Sequence, residues 1–134
     1  MNDLHPSSSL GKPGLVGQDD HHRPMLKGVR CQACHEVAFP PQHHGCERCG
    51  ATHLTDVDLS ADGAVLGSAA VHIHAKPYPP VPFTVVEVRL DAGPVVRALL
   101  NGSGPAPRAG QRVHGVLREG AEAGVLDFQF EMTA

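Results

Sequence analysis

Four cysteines stand in two pairs whose spacing suits a single metal ion. Cys31 and Cys34 form one C-x-x-C motif, Cys46 and Cys49 form a second, and eleven residues separate them. A C-x-x-C turn brings two sulphur atoms to one side of a tight loop, and two facing loops supply four thiolates in a tetrahedral arrangement. Zinc lowers the pKa of such thiols, and its binding free energy stabilises the fold. The spacing therefore predicts one Zn²⁺ per chain.

Three other chemistries use the same cysteines. Iron can replace zinc at four thiolates, as in rubredoxin. Two disulfides would require an oxidising compartment. The run from Cys31 to His35 also matches the C-x-x-C-H motif of c-type haem attachment, which requires export and leaves the second pair unexplained. The N-terminal sequence lacks the basic start and apolar run of a secretory signal. We therefore expect a cytoplasmic protein that uses its reduced thiols for metal and carries no haem.

Other catalytic patterns are missing from the sequence. It contains no G-x-S-x-G, no phosphate-binding glycine loop and no H-E-x-x-H. Several of the ten histidines stand in adjacent or alternating pairs, but no third ligand is evident beside any pair, and surface positions are the simpler interpretation. These pairs are His21-His22, His43-His44 and His72 with His74. The aspartates between residues 56 and 62, and Asp91, are interpreted as solvated turn residues. The chain alone is not expected to be catalytic.

The composition indicates which secondary-structure elements position the cysteines. The 134 residues include 15 Gly, 12 Pro, one Tyr and no Trp, which suits short strands and many turns. The formal net charge of −3 gives no general attraction to nucleic acid or to an anionic membrane surface. No apolar run is long enough to span a bilayer. A mainly β protein is the expected fold class.

The chain divides by composition into three parts. Residues 1–22 are rich in Ser, Gly and Pro without a hydrophobic period, so we expect a flexible N-terminal arm. Residues 23–53 carry the cysteines and are too few to bury a core, so this ribbon needs its metal. Residues 54–134 alternate short apolar runs with turn signals, as small β-barrels do. Within the third part, the proline-rich segment 76–82 favours polyproline II over a strand.

Five strands are predicted in the third part, with Phe128 and Phe130 in the core. They cover residues 63–74, 83–90, 95–100, 112–118 and 125–131. The hairpin formed by the second and third has two possible registers. A two-residue loop would set Arg97 against Val88 in the core, whereas a three-residue loop centred on Gly93 pairs Val88 with Ala98 and leaves the arginine outside. Burial favours the second register.

The order of ribbon before barrel, together with several local motifs, resembles a known family. The motifs are the run Arg23 to Cys31, Phe39-Pro40-Pro41, Gly45 to Gly50, Pro82 to Gly93, and Gly110 to Val113. They are similar to those of the zinc-ribbon and OB-fold proteins, formerly a domain of unknown function, that are associated with thiolase-fold acyl-CoA enzymes. The resemblance spans residues 23–132. Two departures are His35, where the family usually has Gly, and the absence of a recognisable helix before the ribbon.

The resemblance implies both a fold and a role. The fold would be an N-terminal rubredoxin-like zinc ribbon followed by a small OB-fold β-barrel. The role would be that of a small subunit in a hetero-oligomer with a thiolase, an acyltransferase, a hydroxymethylglutaryl-CoA synthase or a CoA-ester aldolase. The partner would carry the catalytic residue, and this chain would help to form the acyl-CoA site.

Four residues are candidates for contact with acyl-CoA or with the partner. Phe39, between the cysteine pairs, either packs against the barrel to orient the ribbon or belongs to a docking face. Lys76, Tyr78 and Phe83 lie in or beside the proline-rich segment, which either lines the opening to the acyl-CoA site or is only a long barrel loop. Further candidates for the nucleotide phosphates are Arg89, Arg97 and Arg112.

Two alternative functions employ the same modules. OB barrels and ribbons both bind nucleic acid, but nucleic-acid-binding OB proteins usually also have aromatic side chains that stack on bases and a positively charged groove. This chain has four Phe, one Tyr and a negative net charge, which argues against that function. A rubredoxin-like electron carrier would hold iron in the cysteine site.

Overall fold

The computed structural model describes residues 9–134, which form ten β-strands. They are β1 (Ser9–Leu10), β2 (Val16–Gln18), β3 (Pro24–Cys31), β4 (Val37–Ala38), β5 (Leu54–Ser60), β6 (Gly63–Val71), β7 (Phe83–Leu90), β8 (Val95–Leu99), β9 (Arg112–Glu119) and β10 (Val125–Met132). The described residues contain no helix, in agreement with the Gly- and Pro-rich composition. Consequently, no helix in this part of the chain could cross a membrane.

The strands form two sheets. The larger sheet has the order β1-β10-β9-β6-β7-β8, and in the smaller sheet β3 pairs with β5 on one side and with β2 and β4 on the other. The larger sheet curls until Leu100, just after β8, meets Phe130 of β10 in a parallel bridge. This curled sheet is an OB-like half-barrel, and the smaller sheet leads into the cysteine ribbon. The predicted fold class is confirmed.

One hydrophobic core joins the two sheets. Leu26 of β3 and Leu59 of β5 belong to the same buried cluster as Val86 and Phe130 of the barrel. The ring of Phe130 is fully buried and meets Phe128 edge-on at a centroid distance of 4.9 Å. Because apolar burial is the main stabilising contribution in a domain of this size, the ribbon sheet is fixed to the barrel by packing as well as by the chain.

The predicted barrel strands agree closely with β6 to β10. Each of the five begins at its predicted residue, and β6 ends at Val71 instead of at His74. The residues after β6 lead into the proline-rich segment 76–82, whose four prolines lack the N–H that a ladder requires.

The register of the β7–β8 hairpin differs from the prediction. Val88 lies opposite Val96 instead of Ala98, a shift of two residues. Since a shift of two preserves the face of every side chain, Arg97 still lies outside, where it meets Glu87 at 2.9 Å.

The hairpin loop explains this shift. It has three residues, Asp91 to Gly93, and Leu90 N–H donates to the carbonyl of Pro94 at 2.9 Å. Proline has no N–H to contribute, but at this position the strand end needs only its carbonyl. Gly93 adopts a φ of 121°, which a glycine tolerates best.

Two short strands lie within the segment predicted as a flexible arm. β1 runs parallel to β10, and β2 pairs with β3 by setting Val16 opposite Leu26. Val16 is buried in the common core. The segment 9–18 thus connects the two sheets. A single buried valine produces no hydrophobic period, so the sequence pattern does not reveal this strand. The prediction for residues 1–8 lies outside the described residues.

The long pairing of β3 with β5 is also additional to the predicted strands. It runs from Met25 opposite Ser60 to Cys31 opposite Leu54. Asp56 and Asp58, interpreted from the sequence as turn residues, are exposed members of β5. This pairing matters for the site because Cys31 is the last residue of β3.

Candidate metal centre

The four predicted cysteines come together. Their Sγ atoms all lie within 4.8 Å of one another. Cys31 and Cys49 are 3.6 Å apart at sulphur, as are Cys34 and Cys46. A regular tetrahedron with a metal–sulphur bond of about 2.3 Å has edges of about 3.8 Å, so the spacing fits one tetrahedral ion. The four are free thiols, which does not favour the disulfide alternative.

The two C-x-x-C turns, here called the first and second knuckle, have the same backbone hydrogen bonds. In each, the N–H of the first cysteine donates to the carbonyl of the residue five positions later, from Cys31 to Glu36 and from Cys46 to Ala51. The N–H of the residue four positions later donates to the carbonyl of the first cysteine, from His35 to Cys31 and from Gly50 to Cys46. Both distances are 2.9 Å at Cys31 and 2.8 Å at Cys46. The fifth residue of each knuckle, counted with the first cysteine as one, has a positive φ, which is 67° at His35 and 80° at Gly50. His35 therefore adopts a backbone conformation that a glycine adopts without strain.

Different elements hold the two knuckles. The first begins at the end of β3, where Cys31 is only 1% exposed. The second lies in a loop, where Cys46 is buried and Cys49 is exposed. There the side chain of Gln42 binds the backbone: its Oε1 accepts from His44 N–H at 2.8 Å, and its Nε2 donates to the Gly45 carbonyl at 2.7 Å. Gln42 is a positioning residue that the sequence analysis missed, because a single glutamine in a loop carries no recognisable signal.

The thiols interact strongly with one another and with the knuckle backbone. The backbone N–H of Cys34 is the main cause that lowers the pKa of Cys31 to about 6. The N–H of Cys49 likewise lowers the pKa of Cys46. At Cys34 the N–H of Glu36 acts in the lowering direction, but burial and the three neighbouring thiols raise the pKa to about 12. Adjacent thiolates repel each other, so without a cation some of the sulphurs keep their protons.

A metal cation resolves that repulsion. Placed among the four sulphurs, it would stabilise all of them as thiolates. Sulphur-only donors at tetrahedral spacing suit zinc or iron and do not suit magnesium or calcium, which prefer oxygen. The cluster can therefore hold one metal ion through Cys31, Cys34, Cys46 and Cys49.

The other predicted site residues lie in two places. Phe39 is half-buried, packs against the common core and lines a cavity of about 350 Å³ beside the barrel. Phe39 thus takes part in the packing between ribbon and barrel, and its contact with acyl-CoA or with a partner stays a prediction. Lys76, Tyr78 and Phe83 are not among the residues that line this cavity.

The proline-rich segment forms a compact loop between β6 and β7. His74 Nε2 lies 3.1 Å from the carbonyl oxygen of Tyr78, and its ring meets Phe83 edge-on at 5.2 Å. Ile73 and Val81 are 91% and 46% exposed. The loop is thus closed by local contacts and presents apolar side chains to solvent.

Each of the three candidate arginines has a partner at the surface. Arg97 is paired with Glu87, and Arg89 donates to the carbonyl of Gly93 at 3.1 Å. Arg112 forms a two-pronged contact with Asp91 at 2.8 and 2.5 Å. This contact is the main cause that lowers the pKa of Asp91.

Comparison with known proteins finds similarity among solved structures, of which five chains match. No family model matches the chain, and no curated protein matches it. Among solved structures, the Ltp2-ChsH2(DUF35) aldolase contains a chain with 25% sequence identity and a TM-score of 0.70. This chain is similar to a DUF35 aldolase. The match covers 82% of this chain and 86% of that one, so it extends over both the ribbon and the barrel.

Proposed function

We propose that this protein is a non-catalytic accessory subunit that binds zinc, associates with a thiolase-fold partner and helps it to bind acyl-CoA. The observation that carries the proposal is the similarity to the Ltp2-ChsH2(DUF35) aldolase over most of both chains. The family motifs between residues 23 and 132 support the same role from the sequence. The partner would be a thiolase, an acyltransferase, a hydroxymethylglutaryl-CoA synthase or a CoA-ester aldolase.

The cysteine cluster supports a structural role for its metal. Four protein sulphurs complete a tetrahedral shell, so a bound ion has no open position for substrate or water. Zinc suits this role because it has no redox chemistry. The ion would hold the second knuckle against the first and would keep the ribbon in place beside the barrel.

The loop between β6 and β7 supports a contact with the partner or with acyl-CoA. Ile73 and Val81 are exposed apolar residues on a segment that its prolines keep stiff, so little conformational entropy would be lost on docking. Lys76 is exposed and offers a cation to a phosphate or carboxylate. In this proposal, residues 76–83 line the opening through which acyl-CoA enters the complex.

Reconstitution tests the proposal. The chain is co-expressed with a thiolase-fold protein encoded beside it, complex formation is measured by size-exclusion chromatography with light scattering, and acyl-CoA kinetics are recorded. For Lys76→Ala and Tyr78→Ala we expect an intact complex with a raised KM and an unchanged kcat, because binding energy common to ground and transition states has been removed. Arg108→Ala, at an exposed basic position of another loop, is the matched control.

Two results would contradict the proposal. If no complex forms with the zinc-loaded chain, the accessory role fails. If the complex forms but neither variant changes KM, the loop has no role in acyl-CoA binding.

A further inference from the structure

The half-barrel has an open seam beside β8. On one side this strand pairs with β7 along its whole length. On the other side, no strand of the described residues pairs with it before the bridge between Leu100 and Phe130. The seam between β8 and β10 is therefore open along residues 95–99 and closed at one end.

The hydrogen bonds of the hairpin show which backbone groups face this seam. Leu90 N–H donates to the Pro94 carbonyl, and Leu100 N–H donates to the Thr84 carbonyl, both at 2.9 Å. In an antiparallel ladder, alternate residues bond to the partner strand and those between them point away. Positions 94, 96, 98 and 100 thus bond to β7. The N–H and C=O of Val95 and Arg97 point away from β7.

The cavity of about 350 Å³ lies along this seam. Its volume falls within the range of about 300–1,000 Å³ that small-molecule sites occupy. Apolar side chains from five parts of the chain form its walls, among them Leu15, Phe39 and Leu99, and Lys12, Arg97 and Asp127 add charge.

One wall of the cavity is the short segment that connects the two sheets. Lys27 fixes this segment twice: its backbone N–H donates to the Leu15 carbonyl at 2.8 Å, and its Nζ donates to the Pro13 carbonyl at 2.7 Å. Phe39 forms another wall and is itself carried on the ribbon. The cavity is therefore formed by the ribbon, the N-terminal segment and the barrel together.

These features suit a thin chain that combines amides with an apolar edge. An extended amide chain that lies against a free strand edge bonds to the outward N–H and C=O groups as an added strand would. The seam supplies these groups at Arg97, apolar walls on both sides and a closed end. A continuous peptide strand would have to pass the Leu100–Phe130 bridge, whereas a chain end would not.

We infer that the seam binds the pantetheine arm of the acyl-CoA, an inference that rests on the proposed function. The arm carries two secondary amides separated by methylene groups. The carbonyl oxygen of one amide accepts from the backbone N–H of Arg97, and the methylene groups pack between Phe39 and Leu99. Lys12 and the Arg97 guanidinium, which also pairs with Glu87, face the phosphate at the other end of the arm.

Nuclear magnetic resonance of the isolated zinc-loaded chain tests the site directly. The ¹⁵N-labelled protein is titrated with pantetheine and with coenzyme A. We expect the backbone amide of Arg97 to show the largest shift for both ligands, with smaller shifts at Leu15 and Phe39. If the amides of the seam stay unshifted while other amides respond, or if nothing responds to millimolar ligand, the inference is wrong.

Proline substitution isolates the backbone contact. Arg97→Pro removes the outward N–H and the side-chain ion pair with Glu87 but no backbone hydrogen bond to β7, and edge strands tolerate proline at such positions. We expect pantetheine affinity to fall about five-fold or more, the loss that one hydrogen bond produces. Val95→Pro removes an equivalent outward N–H outside the cavity and should bind normally. Arg97→Gln keeps the N–H, so it should retain pantetheine binding and weaken coenzyme A binding only.

The two proposals can fail separately. Binding at the seam by a chain that forms no complex would refute the accessory role and leave the seam assignment standing. An active complex whose KM responds to Tyr78→Ala but not to Arg97→Pro would refute the seam assignment alone. Equal affinities for Arg97→Pro and Val95→Pro, with both variants folded, would also overturn it.

Discussion

The two knuckles of the cysteine ribbon are alike in backbone and unlike in support. Both close with the same pair of hydrogen bonds, and both place their fifth residue at a positive φ. The first knuckle continues a strand that is paired over its length with β5, and Cys31 is buried. The second knuckle stands in a loop that the side chain of Gln42 braces. The difference indicates that the sheet holds one half of the site and that a bound metal ion would have to hold the other.

The largest expected effect follows from the loss of one metal ligand in the weaker half. Cys46→Ser should lower the metal content from one ion per chain and should lower the melting temperature strongly. A four-cysteine zinc site contributes about 10–16 kcal/mol of apparent binding free energy, and removal of one thiolate forfeits a large part of it. Elemental analysis and thermal unfolding measure both effects.

The comparison of the two knuckles predicts which backbone amides become less protected in this variant. Hydrogen exchange in Cys46→Ser should show lost protection at the N–H groups of the second knuckle, while the amides of β3 remain protected by their pairing with β5. Full metal retention in this variant would refute the assigned ligand set. Equal loss of protection in both knuckles would refute the claim that strand pairing stabilises the first knuckle more than the second.

A smaller effect is expected from the brace of the second knuckle. Gln42→Ala removes two short hydrogen bonds to the backbone and leaves those groups to water. We expect the free energy of unfolding to fall by about 1–2 kcal/mol, since each bond contributes about 0.5–1.5 kcal/mol net. Denaturant unfolding of the metal-loaded protein measures this change.

Gln32→Ala is the matched control at the first knuckle, where the side chain donates to Thr55 Oγ1 at 2.8 Å on an exposed surface. The strand pairing already fixes that region, so this variant should change stability less than Gln42→Ala does. An equal or greater loss would show that the first knuckle depends on its side chains as much as the second.

The parts of the fold that depend on local pattern were predictable from the sequence. Two C-x-x-C motifs bring four sulphurs together because each turn is set by its own few residues, and the apolar alternation of β7 and β10 fixes their faces. Features that depend on how distant segments meet were not predictable. Val16 gives no sign that it pairs with Leu26, and Asp58 resembles a turn residue although it lies beside Lys27 in a ladder.

The hairpin register and the seam illustrate the same limit. The sequence specifies which side of β7 is buried, and hence that Arg97 lies outside, but a shift of two residues satisfies that rule equally well. The observed register depends on a proline at the strand end. The opening beside β8 depends in turn on where the curled sheet closes, at Leu100 and Phe130, which no local pattern records.

The smallest expected effect concerns the fifth residue of each knuckle. A side chain at a positive φ is strained by about 1–2 kcal/mol, and glycine is not. Part of that gain is offset by the greater freedom of glycine in the unfolded chain. His35→Gly should therefore raise the free energy of unfolding by about 0.5–1 kcal/mol, and Gly50→Ala should lower it by a similar or larger amount. Metal content should stay at one ion in both variants.

His44→Gly is the control that separates strain from composition. His44 lies in the second half of the ribbon and is not among the residues with positive φ, so glycine relieves no strain there. The same His-to-Gly change should then destabilise the protein by about 0.5–1 kcal/mol, because only the unfolded chain gains freedom. Opposite signs at the two positions, measured by denaturant unfolding of metal-loaded protein, would establish that the positive φ strains the first knuckle at His35. If His35→Gly destabilises as His44→Gly does, the imidazole itself contributes to the ribbon, and the two knuckles differ in more than their support.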